Sequence, residues 1–193
     1  MSNYMSYDRY NPQTKSDQNA RTNIDQDLRN SRTTKYKERQ LEVKQYLHDV
    51  ITPHYPELFA KKFSTDNTTS YIDTVDLMDM LKDGEILCKL GSLIPEVPHN
   101  PTLKFKNSKM AFIQMENISF FLKLCEFINL QHDEIFQTVD LYERKDPYQV
   151  IVTLMSFSRL ANEIDSTTFP NVIGPKVFKV KPQVPNKPYV LRR

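Results

Sequence analysis

Along the middle of this chain apolar residues recur at helical spacing, and nowhere do they alternate with period two for long. Leu41, Val43, Leu47, Val50 and Ile51 predict a first amphipathic helix that begins near Tyr36. It stops before Pro53, because a proline disfavours helix in the residue preceding it. Residues 53–74 mix two prolines with a Ser/Thr/Asn/Asp cluster, which predicts a connecting loop with one helical turn around residues 57–62.

The stretch "DLMDMLKDGEILCKLGSLIP" (76–95) interrupts one helical pattern and resumes it at once. Glycine inside a helix costs about 1 kcal/mol against alanine, so the break needs a reason. Val75, Leu77, Met78, Met80 and Leu81 make a short helix, and Ile86, Leu87, Leu90, Leu93 and Ile94 make a second. Lys82, Asp83 and Gly84 between them predict a corner with Asp83 as the N-cap of the second helix.

A Pro/Asn loop over 95–107 leads to a long helix from Ser108 to about Asn129. Phe112, Met115, Ile118, Phe121, Leu122, Cys125 and Ile128 form its expected core face. In the short piece "DEIFQTVDLYE" Phe136, Val139 and Leu141 are expected to pack, with Asp140 as the acceptor that fixes the turn. The last helix, "KDPYQVIVTLMSFSRLAN", opens with Asp146 as N-cap and Pro147 at its first position. It buries Val150, Ile151, Leu154 and Met155, while small Ser158 and Ala161 admit a close neighbour. The expected fold is therefore all-α, four main helices plus short ones over residues 36–162. Polar residues 1–35 and the proline-rich 163–193 are expected to be disordered tails.

Charge sharpens this division. The net charge of +2 conceals an acidic centre, where residues 36–162 hold 14 Lys/Arg against 18 Asp/Glu. The ends are basic, with 6 against 4 in residues 1–35 and 6 against 2 in residues 163–193. Basic ends suit either an acidic partner or simple solubility. Cys88 and Cys125 sit among apolar neighbours and read as core residues of a reducing compartment. The amino-terminal "MSNYMSYDRYNPQTK" lacks the apolar run of a signal peptide, and no stretch approaches the ~18 apolar residues of a membrane span. A cytoplasmic protein without membrane insertion is expected.

Candidate chemistry is sparse. His48, His54, His99 and His132 have no metal-ligand spacing, and three glycines are too few for a nucleotide-cradling loop. No nucleophile motif accompanies the carboxylates, so no enzyme, cofactor, metal site or nucleic-acid partner is expected.

Three blocks, "LKDGEILCKL" (81–90), "FKNSKMAFIQMENISFFLK" (105–123) and "IFQTVDLYERKDP" (135–147), resemble calponin-homology domains of the single-domain calponin/transgelin branch. The resemblance covers about residues 36–162 and implies a bundle of four principal helices, actin binding, filament bundling and a place in the actin cytoskeleton. Where family members commonly carry tryptophans, this chain has Tyr46 and Phe105, and no calponin-type repeat follows near the carboxyl end.

Lys104, Lys106 and Lys109 alternate with Leu103, Phe105 and Met110, either as a basic rim around an apolar contact or as a solvated loop. The resemblance associates this neighbourhood with actin contact. Lys176, Lys179, Lys181, Lys187, Arg192 and Arg193 offer a second contact for an acidic filament. Pro182 and Pro185, with Lys179 before and Lys187 after, fit an SH3 ligand in a polyproline II helix. Two function classes follow: an actin-filament-binding and crosslinking protein, or an adaptor that docks cytoskeletal or signalling partners with little direct actin affinity.

Overall fold

The structure, a computed structural model, describes residues 17–63, 70–95 and 97–174. The described residues are helical, with no strand among them. Four principal helices carry the bundle: α1 (Asp17–Ile51), α5 (Glu85–Ser92), α6 (Ala111–Phe127) and α8 (Pro147–Ile164). Shorter α2 (Glu57–Phe63), α3 (Ser70–Thr74), α4 (Leu77–Leu81) and α7 (Thr138–Tyr142) fill between them, with 3-10 turns at Pro101–Lys104 and His132–Glu134. Helix α1 packs on α8 and α5, α6 lies on α5, and α7 touches α4, α6 and α8.

The core follows the apolar periodicity. Val43, Leu47, Val50 and Ile51 from α1 meet Ile86, Leu87 and Leu90 from α5, Ile118, Phe121 and Leu124 from α6, and Val150, Ile151 and Leu154 from α8. Burial of each such side chain is worth about 2 kcal/mol, so this convergence carries the fold. Leu41, placed on the buried face by spacing, is instead exposed, and Tyr46 takes the inward position one turn on.

Local chemistry sets the helix starts. The Asp146 carboxylate accepts the Gln149 N–H at 3.2 Å, with Pro147 in the first turn of α8, as the sequence predicts. Asp76 accepts from Met78 N at 3.0 Å to begin α4. Asp140 fixes the α7 turn by accepting the Gln137 N–H at 2.7 Å. At the predicted corner the N-cap of α5 is Gly84, not Asp83, and its φ of 74° lies in the left-handed region that glycine tolerates. Asp83 still serves the corner: its carboxylate accepts the Glu85 N–H at 3.1 Å and the Lys62 ammonium of α2 at 2.6 Å.

The connection over 53–74 is more structured than a loop. The Tyr71 ring stacks on Phe59 with centroids 5.3 Å apart and on Phe63 at 4.8 Å, so α2 and α3 share an aromatic stack.

Structure continues past the expected boundaries at both ends. Helix α1 begins at Asp17, so residues 17–35, expected to be disordered, are helical. Composition correctly reports that residues 23–35 bury nothing, but it does not register tertiary ties along the helix. Arg32 donates to both Asp146 oxygens, at 2.6 and 3.3 Å, and its guanidinium lies 5.6 Å from the Tyr148 ring centroid. One turn later Tyr36 donates its hydroxyl proton to Asp76 at 3.0 Å, and burial raises its pKa well above the usual phenol range.

At the other end the packing does not stop at residue 162. Phe169 is fully buried and packs edge-on against Phe157, with ring centroids 6.2 Å apart, and Ile173 is buried too. Asn162 donates to the Phe169 carbonyl at 2.7 Å, the Ile173 N–H donates to Ser158 Oγ at 3.2 Å, and the Gly174 N–H reaches Glu42 at 3.1 Å. Ser158, one of the two small residues expected to admit a close neighbour, receives this returning strap.

Candidate functional site

The three most exposed large hydrophobic side chains among the described residues fall within one segment: Leu103 at 72%, Phe112 at 70% and Met110 at 67%. Lys104, Lys106 and Lys109 are exposed in the same segment. Exposed lysines and apolar side chains thus share this segment, as both the basic rim and the solvated loop require; Phe105 is half-buried and Phe112 is exposed. Phe112 is a correction to the expected core face of α6. The helix starts at Ala111 instead of Ser108, so Phe112 lies in a first turn that overhangs the core.

Buried asparagines hold this ridge. Asn100 donates to the Gly91 carbonyl of α5 at 3.0 Å and accepts both the Thr102 N–H at 3.0 Å and the Thr102 hydroxyl at 2.7 Å. The Pro101–Lys104 turn is therefore seated on α5. A Cβ at Gly91 would stand 2.6 Å from Leu124 Cδ2 and 2.7 Å from Thr102 Cγ2, so the turn and α6 pack directly on the α5 backbone there.

Asn117 holds the other end. Its amide oxygen accepts the Lys106 N–H at 3.0 Å, and its amide nitrogen donates to the Lys106 carbonyl at 2.9 Å and to the Asp83 carbonyl at 3.0 Å. One buried side chain from α6 thus ties the lysine loop to the α4–α5 corner. Sequence reading missed Asn100 and Asn117, because a side chain bonded to backbone leaves no periodic trace. A signal existed: Asn117 stands four residues before Phe121, a polar residue at core-facing spacing.

The charges differ in freedom. Lys106 pairs with Glu116 at 3.0 Å, an exposed pair worth under about 1 kcal/mol. Lys104 and Lys109 have no ion-pair partner among the described residues. Behind the ridge Cys88 donates its thiol hydrogen to the Asn117 carbonyl at 3.3 Å, and burial pushes that thiol up to about 12. Cys125 is buried and shifted upward for the same reason. Neither is an activated nucleophile.

A lysine of another kind sits inside the bundle. Lys44 is buried and donates to the Val75 carbonyl at 3.0 Å. Burial lowers its affinity for the proton, and the nearby carboxylates of Asp76 and Asp73 partly restore it. Its role is to satisfy the end of α3. Among the described residues no cluster of His, Cys, Asp or Glu is arranged to hold a metal ion, and no helix is long and apolar enough to cross a membrane. Lys176, Lys179, Lys181, Pro182, Pro185, Lys187, Arg192 and Arg193 lie outside the described residues.

Comparison with known proteins agrees with this architecture. Residues 59–163 match the family described as "Calponin homology (CH) domain". A transgelin of Saccharomyces cerevisiae is 44% identical over 114 residues, covering 58% of this chain and 56% of that protein. A transgelin of Schizosaccharomyces pombe is 37% identical over 114 residues, covering 57% of this chain and 61% of that protein. The matched region is thus less than two thirds of either relative's length. With its all-helical bundle and a family match over more than half its length, the chain belongs to the calponin homology domain family.

Proposed function

We propose that this is an actin-filament-binding and crosslinking protein of the cytoplasmic actin cytoskeleton, acting by binding rather than catalysis. The observation that carries the reading is the ridge over residues 103–112, where the most exposed apolar side chains among the described residues stand beside three lysines. An exposed apolar patch rimmed by charge marks a protein contact, and the filament surface is acidic. The ridge is seated on α5 and α6 by Asn100 and Asn117, so little ordering cost accompanies docking. Family membership and the two transgelin relatives support the same assignment.

Crosslinking requires a second contact. Six basic residues from Lys176 to Arg193 supply one by charge, linked to the first through the same chain. High-speed cosedimentation with filaments measures binding, and low-speed pelleting scores bundles. Removing residues 176–193 should abolish low-speed pelleting while leaving part of the high-speed binding. Absence of the full chain from both pellets, at low salt as well, would sink the proposal.

The adaptor reading keeps one specific support, the spacing of Pro182 and Pro185 between Lys179 and Lys187. Titration of a peptide of residues 176–193 against SH3 domains tests it. Equal binding by the peptide with both prolines changed to alanine would make the motif incidental.

A further inference from the structure

We propose that the groove between α1 and the strap over 169–174 is the docking site of this chain's own segment 175–181, and that docking withholds the lysines of that segment from a filament. The docking is independent of the filament reading; only its consequence for crosslinking rests on it. The groove encloses about 500 Å³ between Glu42, Gln45, Tyr46 and Asp49 of α1, Asn162 of α8 and residues 170–173 of the strap. Two of these lining side chains are carboxylates, and none is a lysine or arginine.

Where the described chain ends, and its charge beyond that point, select the occupant. Gly174 is the last described residue, and its N–H donates to Glu42 at 3.1 Å, so the chain leaves the strap at the edge of the groove. The Gly174 φ of 85° is left-handed and Pro175 follows, a pairing that suits a reversal of chain direction. Asp49 lies seven residues beyond Glu42 on α1, about 10 Å along the helix axis. Five residues of extended chain reach about 17 Å, so a segment that turns back at Gly174 can bring Lys179 to Asp49. The segment reads PKVFKVK, with Lys176, Lys179 and Lys181 set among Val177, Phe178 and Val180.

The groove offers contacts to both kinds of side chain. Asp49 is half exposed, and its ion-pair neighbour among the described residues is His48, at 3.2 Å. Glu42, bonded to the Gly174 N–H and to Arg39 at 2.9 Å, closes the near end. Val172 is 41% exposed, and buried Tyr46 carries a hydroxyl with no hydrogen-bond partner among the described residues. Val177 or Phe178 laid against Val172 removes apolar surface from water, and a carbonyl of the covering segment offers the Tyr46 hydroxyl an acceptor. Exposed ion pairs are weak and screened by salt, so a more strongly acidic surface can exchange with the groove for the lysines. Crosslinking then waits on a filament that outcompetes it.

The test uses the full chain. A zero-length carbodiimide, which joins a lysine ammonium to a carboxylate in contact, is applied at low salt to a mixture of isotopically heavy and light protein. Mass spectrometry identifies the linked peptides. Lys176 or Lys179 should couple to Glu42 or Asp49 without mixed heavy–light links, and the yield should fall severalfold as salt rises. Asp49→Lys should remove the link at position 49. Combining it with Lys179→Asp should restore a link with the partners exchanged, which repair of a merely damaged fold would not do. On filaments, Asp49→Lys should lower the protein concentration needed for bundling severalfold, and the double exchange, which keeps the native net charge, should return it. Absence of any link, or a double exchange that restores none, would overturn the docking. Links found only between heavy and light chains would overturn it too, and would make a second copy the occupant. Unchanged bundling in Asp49→Lys would overturn the withholding of the lysines. If the links form but no variant bundles or binds filaments, the filament reading falls while the docking stands.

Discussion

Gly84 and Asn117 stand so close that a Cβ on Gly84 would lie 2.7 Å from the Cβ of Asn117 and 2.9 Å from the backbone nitrogen of Ile118. The corner that turns α4 into α5 is thus pressed against the middle of α6. Glycine is required there twice over, by its left-handed φ of 74° and by the absence of space. Gly84→Val should therefore destabilise the protein by on the order of 3 kcal/mol, from backbone strain and overpacking together. Urea or thermal unfolding measures this, and an unchanged midpoint would contradict the close approach.

Asn117→Ala should cost about 2 kcal/mol, because it removes a buried amide's three hydrogen bonds to the part-buried Lys106 and Asp83 backbone groups. It should also loosen the ridge. Hydrogen exchange of the Lys106 amide should accelerate more than that of amides in α8. Filament affinity should fall although Asn117 itself is buried and touches no partner. Unchanged exchange at Lys106 would mean the loop is held by something else.

Phe112→Ala and Leu103→Ala test the opposite combination. Both side chains are exposed, so each change should move stability by no more than about 0.5 kcal/mol. Each should weaken filament binding severalfold, and the pair together by about tenfold. A large drop in melting temperature would place these side chains in the core after all.

We propose that the folded unit runs to Gly174. A chain ending at residue 162 should melt well below one ending at 174, since it loses buried Phe169 and Ile173. Phe169→Ala in the full chain should reproduce most of that loss, about 4 kcal/mol. Equal melting of the two truncations would restore the shorter boundary.

The cysteines give a pH test. Burial holds the folded Cys88 thiol neutral up to about 12 against an ordinary value of 9.0, and Cys125 is shifted the same way. A raised folded pKa means the contribution is complete below the unfolded value and is lost as pH rises through the folded one. Stability should therefore hold up to about pH 9 and decline towards 12. At pH 8 a thiol-specific reagent should react slowly with native protein and promptly once it is unfolded. Fast reaction of the native protein would refute the burial.

Much of this architecture was legible because it rests on repeated apolar spacing. The faces of α5, α6 and α8 and the Asp146–Pro147 start follow from local rules that act within a few residues. The strap was not legible. Phe169 and Ile173 are single apolar residues in a stretch without periodicity, and only the tertiary fit against Phe157 and Ser158 gives them meaning. Phe112 was misplaced because spacing extrapolates a face past the point where its helix begins. The ridge itself was half legible: alternation of lysine with Leu103 and Met110 announced it, while its rigidity depends on Asn100 and Asn117, whose bonds span chain segments.

Asn117 also determines where mechanical load goes. A pull on the lysine loop from a bound filament would stretch the two bonds at Lys106 and pass through one side chain into α6, and through the Asp83 carbonyl into the α4–α5 corner. From there Lys62 carries it to α2. Tension is thus spread over α6, the α4–α5 corner and α2 instead of peeling the loop away residue by residue. If the proposed filament contact is made by this loop, the arrangement favours abrupt release of the whole contact over gradual creep.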